Sequence, residues 1–165
     1  MTAHLALRGT LQIGGQVTIC TQDLAGHVLH TITVPNQITY HTANALAAWL
    51  TGTINRGPQA LHGPSAMELG TGSGTPSASD TALFAGVSAT YQPCTELTTV
   101  SGTPDSPQWT AVWGGPSAGN IAGTYTEIGL FDPNGALFAH LAGLSIQVTT
   151  VSTTAIQWQW AITVD

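Results

Sequence analysis

The sequence predicts a mainly β protein, an antiparallel β-sandwich or jelly-roll-like domain with one short α-helix near residues 43–50. Three observations lead to this prediction. Short apolar stretches recur along the chain with Gly- and Pro-rich turns between them, as in two-sheet β proteins. Threonine, whose branched side chain favours strands, occurs 26 times. Residues 156–164 alternate between large apolar and smaller or polar side chains, which is typical of a strand with one buried face.

The N-terminal part, about residues 7–34, is predicted to form a β-hairpin. Apolar residues between Leu11 and Ile19 mark its first strand, and the glycine pair at positions 14 and 15 predicts a bulge in it. Residues 23–26 supply the turn, and the alternation of residues 27–34 predicts the second strand.

The segment ANALAAWL, residues 43–50, predicts the helix. Alanine and leucine are strong helix formers, and here they place apolar side chains at helical spacing. Thr42 precedes the segment and is expected to cap its N-terminus.

Residues 67–165 are expected to form the β-sandwich itself. Residues 70–76 form a loop of small residues, and 77–80 offer capping side chains before one helical turn at 81–84. The Asp-Pro-Asn-Gly sequence at 132–135 predicts a hairpin turn. No linker divides the chain, so 1–165 is expected to be a single domain. Strands are expected at 67–69, 87–91, 96–101, 108–113, 125–131, 137–141, 145–151 and 155–164.

The chain carries very little charge. Charged residues make up 6%, lysine is absent, Arg8 and Arg56 are the only arginines, and the net charge is −6. This balance argues against nucleic acid and anionic lipid as partners, because both are bound through Lys and Arg. Neither a signal peptide nor a membrane span is expected. Faces with so little charge suit a protein that is covered by copies of itself or by other subunits.

No residue pattern predicts catalysis, a cofactor or a metal. The glycine loop at 70–74 lacks the lysine of a phosphate-binding loop, and the six histidines lack metal-binding spacing. The carboxylates are scattered, and Asp80 and Asp132 are assigned to a helix cap and a turn. The chain is therefore expected not to be an enzyme. The sequence leaves open whether Cys20 and Cys94 form a disulfide.

Trp109 and Trp113 are the candidate contact residues. Both lie near predicted loop ends, and an aromatic face there could meet a partner protein or a glycan. A place in the core or in a subunit interface is the more common role for tryptophan.

Several motifs occur in a recognisable order from Pro35 onward. They are NQIT at 36–39, MELGTGSGTP at 67–76, SDTAL at 79–83, YTEIGLF at 125–131 and WAITV at 160–164. In this order the chain resembles a loose group of bacteriophage minor structural proteins that share LGTG, DTAL, E-x-GLF and a terminal W-x-I-x-V strand. The resemblance implies a virion component, placed variously in tails, tail fibres or heads. The stretches 52–66 and 101–120 depart from that pattern and are candidate contact loops.

The expected function is that of a non-enzymatic phage structural protein, located in the virion and assembled in the host bacterial cytoplasm. Its partners would be copies of itself, in a symmetric homo-oligomer of the tail or tail-fibre apparatus, and other virion proteins. One alternative is a capsid decoration, or cement, protein. Another is a carbohydrate-binding module that recognises a host-surface glycan, and a glycan hydrolase is the least favoured.

Overall fold

The computed structural model describes residues 11–50, 63–97 and 107–164. In this part of the chain, ten strands form two five-stranded antiparallel sheets that share one core, and a single α-helix accompanies them. This confirms the predicted mainly β, sandwich-like fold. The strands are β1 Leu11–Asp23, β2 Val28–Pro35, β3 Gln37–Ile38, β4 Ala66–Gly70, β5 Gln92–Pro93, β6 Thr95–Leu97, β7 Gln108–Gly114, β8 Gly123–Phe131, β9 Leu137–Val148 and β10 Ser152–Val164, and the helix, α1, is Tyr40–Leu50.

The first sheet has the strand order β2-β1-β10-β7-β6. Its centre is the pairing of β1 with β10, which runs without a break from Leu11 opposite Val164 to Asp23 opposite Ser152. The second sheet has the order β3-β9-β8-β4-β5. There, β8 lies between the long strand β9 and the short strand β4. Long central strands therefore carry both sheets, and within the described residues three of the four edge strands are very short.

The core lies between the two sheets and combines aliphatic side chains with several large aromatic ones. On β10, Ile156, Trp158 and Trp160 are buried, as the alternation predicted, and each contributes about 2–3 kcal/mol through the apolar surface it removes from water. The ring of Trp160 stacks on Phe138 of β9 with the ring centroids 5.9 Å apart. The strand that alternates most clearly in the sequence therefore joins the two sheets. The side chains of 162 and 164 lie outside the described residues.

The predicted bulge at the glycine pair is wrong. Gly14 and Gly15 pair in register with Ala161 and Trp160, and the irregularity of β1 lies instead at Thr21/Gln22, opposite β2. Gly15 is needed for a close approach. A Cβ atom there would lie 2.0 Å from the Asn36 side-chain oxygen. The turn at 23–26 is confirmed, with Gly26 at a φ of 89°.

Helix α1 is confirmed but begins at Tyr40, three residues before the predicted start. Thr42 does not cap it, because this residue lies within the helix and its hydroxyl donates to the carbonyl of Phe138. Thr39, just before the helix, donates to the carbonyl of Leu137 at 2.6 Å. Two threonines therefore attach the helix start to β9, a tertiary contact that local capping rules do not reveal.

Two other strand predictions change. The segments 137–141 and 145–151 belong largely to one strand, β9, which continues through Gly143 because that residue accepts a φ of 76°. Residues 87–91 do not form a strand. They contain the 3₁₀ turn Ser88–Thr90, in which the Thr90 hydroxyl contacts the carbonyls of Leu69 and Val87. Parts of the predicted N-terminal hairpin (7–10) and of the strand at 96–101 (98–101) lie outside the described residues.

Candidate functional site

The carboxylate of Glu127 connects three distant parts of the chain. It lies on β8 and is fully buried. Its Oε1 accepts hydrogen bonds from the backbone N–H groups of Gly72 at 2.9 Å and Ala85 at 2.7 Å. Its Oε2 accepts one from the N–H of Phe84 at 3.0 Å. One side chain therefore fixes both the glycine loop and the segment that follows it.

His140 occupies the space between Glu127 and a second carboxylate, that of Asp80. Its Nε2 lies 2.9 Å from Oε2 of Glu127, and its Nδ1 lies 2.7 Å from Oδ2 of Asp80. The imidazole is fully buried, and the Asp80 side chain is 14% exposed. Phe84 packs on the ring with centroids 4.7 Å apart. The result is a buried Asp80–His140–Glu127 network.

Hydrogen-bond chemistry limits the proton arrangements that this network can adopt. An ionised carboxylate only accepts hydrogen bonds, and a neutral imidazole donates from only one nitrogen. Both ring nitrogens of His140 contact carboxylate oxygens, so two ionised carboxylates are satisfied together only when the ring donates from both nitrogens. In that arrangement the three side chains carry one net negative charge, which the three N–H groups on Glu127 help to balance.

The pKa of Glu127 reflects two opposing effects. Burial alone would raise it, but the hydrogen bonds from Ala85, His140, Phe84 and Gly72 outweigh that effect and hold the pKa below 4.5. The neighbouring Glu68 has no comparable set of donors, so burial, together with the negative charge of Glu127, raises its pKa above 4.5. Glu127 is therefore the acid that the fold keeps ionised.

The small residues of the 70–74 loop are explained by this carboxylate. A Cβ atom on Gly70 or on Gly72 would lie 2.5 Å from Oε1 of Glu127, inside van der Waals contact. Thr126 also donates its hydroxyl to the carbonyl of Gly72 at 2.6 Å. The glycines thus let the backbone approach a buried anion of the protein itself, and no phosphate is needed to explain them.

The predicted helical turn at 81–84 is absent for the same reason. The N–H groups of Phe84 and Ala85 point at Glu127 instead of at carbonyls one turn earlier. Asp80 caps no helix, because its Oδ2 accepts from the Ser77 N–H and contacts His140. Sequence reasoning treated Asp80 as a helix cap, and Glu127 and His140 as isolated residues. The available signal was a carboxylate inside a buried strand, Tyr125-Thr-Glu-Ile-Gly, because acids are almost never fully buried without partners.

The structure corrects the prediction that Trp109 and Trp113 contact a partner or a glycan. Trp109 is 7% exposed and Trp113 is 1% exposed. Trp109 packs edge-on against Trp160, and the indole N–H of Trp113 donates to the carbonyl of Thr90 at 2.6 Å. Both belong to the core, which leaves neither with an aromatic face for stacking on a sugar.

A shallow cleft of about 320 Å³ lies beside the buried network, between the start of α1 and the 78–81 stretch. Asp80 forms part of its wall, together with Tyr40 and His41. His41 packs edge-on against Phe138, and its Nε2 is 3.8 Å from Oδ2 of Asp132. The cleft is thus the side from which solvent reaches Asp80.

No other described segment of the chain covers the apolar surface of strand β2, at the edge of the first sheet. Val28, Leu29 and Ile32 are 60%, 61% and 40% exposed. Ile32 pairs with Ile19 of β1, whose side chain is buried. The core-facing side of the sheet therefore continues onto β2, beyond the area that the second sheet covers.

Metal and disulfide chemistry is not found in the described part of the chain. Among residues 11–50, 63–97 and 107–164, no three His, Cys, Asp or Glu side chains are grouped to hold a metal ion. Cys20 and Cys94, both described, are not joined by a disulfide. Within the same residues, no helix has the length and apolar character needed to cross a bilayer.

No protein-family model, curated protein or solved structure matches this chain. Its function is therefore inferred from its own geometry, in which two features stand out. They are the buried Asp80–His140–Glu127 network and the uncovered edge strand β2.

Proposed function

We propose that this chain is a non-enzymatic structural protein of a bacteriophage particle that assembles as a symmetric homo-oligomer, in the tail or tail-fibre apparatus. The observation that carries the proposal is the contrast between the sheet edges. In the described residues, β3 and β5 are two residues long and β6 is three, whereas the edge strand β2 has eight. Proteins that stay monomeric keep their edges short, charged or covered, and β2 is none of these.

The composition of β2 supports strand addition by a neighbouring subunit. Its sequence, VLHTITVP, contains no Asp, Glu, Lys or Arg. Seven of its eight residues are exposed. An added strand would pair with the free N–H and C=O groups along this edge, and it would cover the exposed side chains of Val28, Leu29 and Ile32.

The described strands place no charged side chain on the outer face of the first sheet. Its side chains hydrogen-bond to one another, Gln16 to Gln159 at 2.9 Å and Thr18 to Thr33 at 3.0 Å. A surface of neutral, mutually bonded side chains can approach a like surface without electrostatic repulsion. This suits a building block that packs against copies of itself.

The buried network supports a structural role over a catalytic one. Both nitrogens of the His140 ring are occupied by carboxylates, so the ring has no free position from which to act as a base on a substrate. Of the segments that carry the resemblance to phage structural proteins, 67–76 and 125–131 meet at Glu127, and 79–83 reaches the same network through Asp80 and His140. In this proposal, the role of the shared motifs is to hold the loop between residues 72 and 85 against β8.

The proposal is tested on phage particles purified from a host that produces this chain. The chain is expected to co-sediment with the particles at a constant copy number, and antibodies against it are expected to label the tail. Labelling of the capsid at three-fold positions would favour the capsid decoration alternative. A chain that stays in the soluble fraction, with particles that remain unlabelled, would overturn the structural role.

A further inference from the structure

The segment between β4 and the 3₁₀ turn, residues 71–87, is held to the protein mainly by polar contacts. Gly72 is its only fully buried residue, and Phe84, its largest apolar side chain, is 44% exposed. Hydrophobic burial therefore contributes little to its attachment. Segments with few buried apolar contacts open at a lower free energy than the core.

Four of its polar attachments converge on one network. Glu127 receives the N–H groups of Gly72, Phe84 and Ala85, and His140 contacts the carboxylate of Asp80. Outside the network, Val87 donates to the Leu69 carbonyl, and the Ala78 and Gly72 carbonyls accept hydrogen bonds from the Tyr40 N–H and the Thr126 hydroxyl. His140 links Asp80, which lies in the segment, to Glu127, which lies on β8. Its ring therefore couples the contact at Asp80 to the contacts at Glu127.

We propose that the Asp80–His140–Glu127 network is a pH-sensitive latch. It holds residues 71–87 against β8 and β9 while the His140 ring carries both protons, and it releases them when the ring loses one. A neutral ring must turn an unprotonated nitrogen toward one of the two carboxylates, at a distance of 2.7 or 2.9 Å. Two lone pairs then face each other in a buried site, and one hydrogen bond is lost.

Asp80 is the side of the latch that opens. Its carboxylate borders the cleft and is partly exposed, whereas Glu127 is fully buried. Water therefore replaces His140 at Asp80 first, and the N–H groups of Gly72, Phe84 and Ala85 leave Glu127 only as the segment opens from that side. The same opening gives protons a path from the cleft to the ring.

Titratable groups face His140 from the elements that pack against it. Glu127 and, beside it, Glu68 approach from β8 and β4, and Asp80 approaches from the segment itself. From β3, the residue opposite His140 is the uncharged Gln37. On the cleft side, α1 contributes Tyr40 and His41, and His41 lies near Asp132. Histidine is the side chain whose charge ordinarily changes between about pH 5 and pH 8.

The test combines nitrogen NMR of the histidine rings with amide hydrogen exchange at Phe84 and Ala85, across about pH 5 to 8. The wild-type ring of His140 is expected to show two protonated nitrogens at the acid end. As it loses one, exchange at Phe84 and Ala85, corrected for its intrinsic pH dependence, is expected to rise about tenfold or more.

Two variants separate the latch from a merely structural contact. His140→Gln cannot titrate, so its exchange at Ala85 is expected to be independent of pH. His27→Gln is the matched control, because His27 also contacts a carboxylate, that of Asp23 at 2.8 Å, but is highly exposed. It is expected to behave as the wild type does. A His140 ring that is neutral throughout while Ala85 stays protected would overturn the latch. The same pH-dependent exchange in His140→Gln would also overturn it, and should that variant fail to fold, the wild-type ring signal decides.

Discussion

Nε2 of His140 lies 2.9 Å from Oε2 of Glu127, and neither side chain is exposed to solvent. The two residues lie on the neighbouring strands β9 and β8, so the sheet itself sets their separation. In a chain with only 6% charged residues, a buried ion pair is costly to desolvate unless hydrogen bonds complete it. Here three backbone N–H groups and Asp80 complete it. Loss of the Glu127 carboxylate should therefore disturb several segments of the chain at once.

Replacement of Glu127 by glutamine is expected to lower the free energy of unfolding by about 3–5 kcal/mol, the cost of breaking a buried ion pair. The amide nitrogen of the new glutamine would place its own hydrogens against the backbone N–H donors or against the His140 ring. His140 would then keep Asp80 as its one carboxylate partner. Urea denaturation followed by tryptophan fluorescence measures the change.

Glu68→Gln is the matched control for that variant. Glu68 lies near Glu127, but its pKa is raised, because burial and the neighbouring charge disfavour its ionised form. Removing this charge is expected to leave the stability at pH 7 unchanged or to raise it slightly. Equal losses in the two variants would contradict the special role of Glu127.

The stability of the protein is expected to fall on acidification through Glu127. Its pKa is held below 4.5 in the folded state, so the unfolded chain binds the proton more readily. The stabilisation is therefore complete above about pH 4.5 and is lost as the pH falls through the folded-state pKa. Unfolding free energies measured at a series of acid pH values should show this decline in the wild type. In Glu127→Gln the decline in unfolding free energy should be smaller. An identical decline in the variant and the wild type would argue against Glu127 as its source.

The two kinds of indole N–H in the core predict different costs of substitution. The N–H of Trp113 donates to the Thr90 carbonyl, whereas the buried N–H of Trp158 has no hydrogen-bond partner. Trp113→Phe removes a hydrogen bond and orphans a carbonyl, so it is expected to cost about 1 kcal/mol more than Trp158→Phe. Thermal or urea unfolding of the two variants makes the comparison, and an equal or reversed order would count against the Thr90 contact.

The sequence predicted those parts of the fold that depend on local pattern. The alternation of 156–164 identified β10, and the Asp-Pro-Asn-Gly sequence identified the turn at 132–135, in which Gly135 has a φ of 80°. The 81–84 stretch was assigned wrongly because its N–H groups bond to Glu127, 42 or 43 residues away along the chain. Such a contact leaves no local periodicity. The sequence did not decide whether Trp109 and Trp113 lie in the core or contact a partner, because their burial depends on how the two sheets pack.

Lysine at the edge strand is expected to block self-association. Val28 on β2 and Val151 in the turn between β9 and β10 are both exposed valines, 60% and 70% exposed, but only Val28 lies on a sheet edge. Val28→Lys should shift the protein toward monomer, because a charge on an open edge opposes strand addition. Val151→Lys should leave the oligomer intact, and both should keep their stability within about 0.5 kcal/mol. Sedimentation velocity compares them, and an oligomer that survives Val28→Lys but not Val151→Lys would place the interface elsewhere.

The mass of the wild-type chain in solution tests the assembly role most directly. Light scattering over a dilution series is expected to give a defined multiple of 17.0 kDa that dissociates only at low concentration, since a closed symmetric oligomer has a fixed number of subunits. A mass of one chain at every concentration, with β2 still uncovered, would contradict the account.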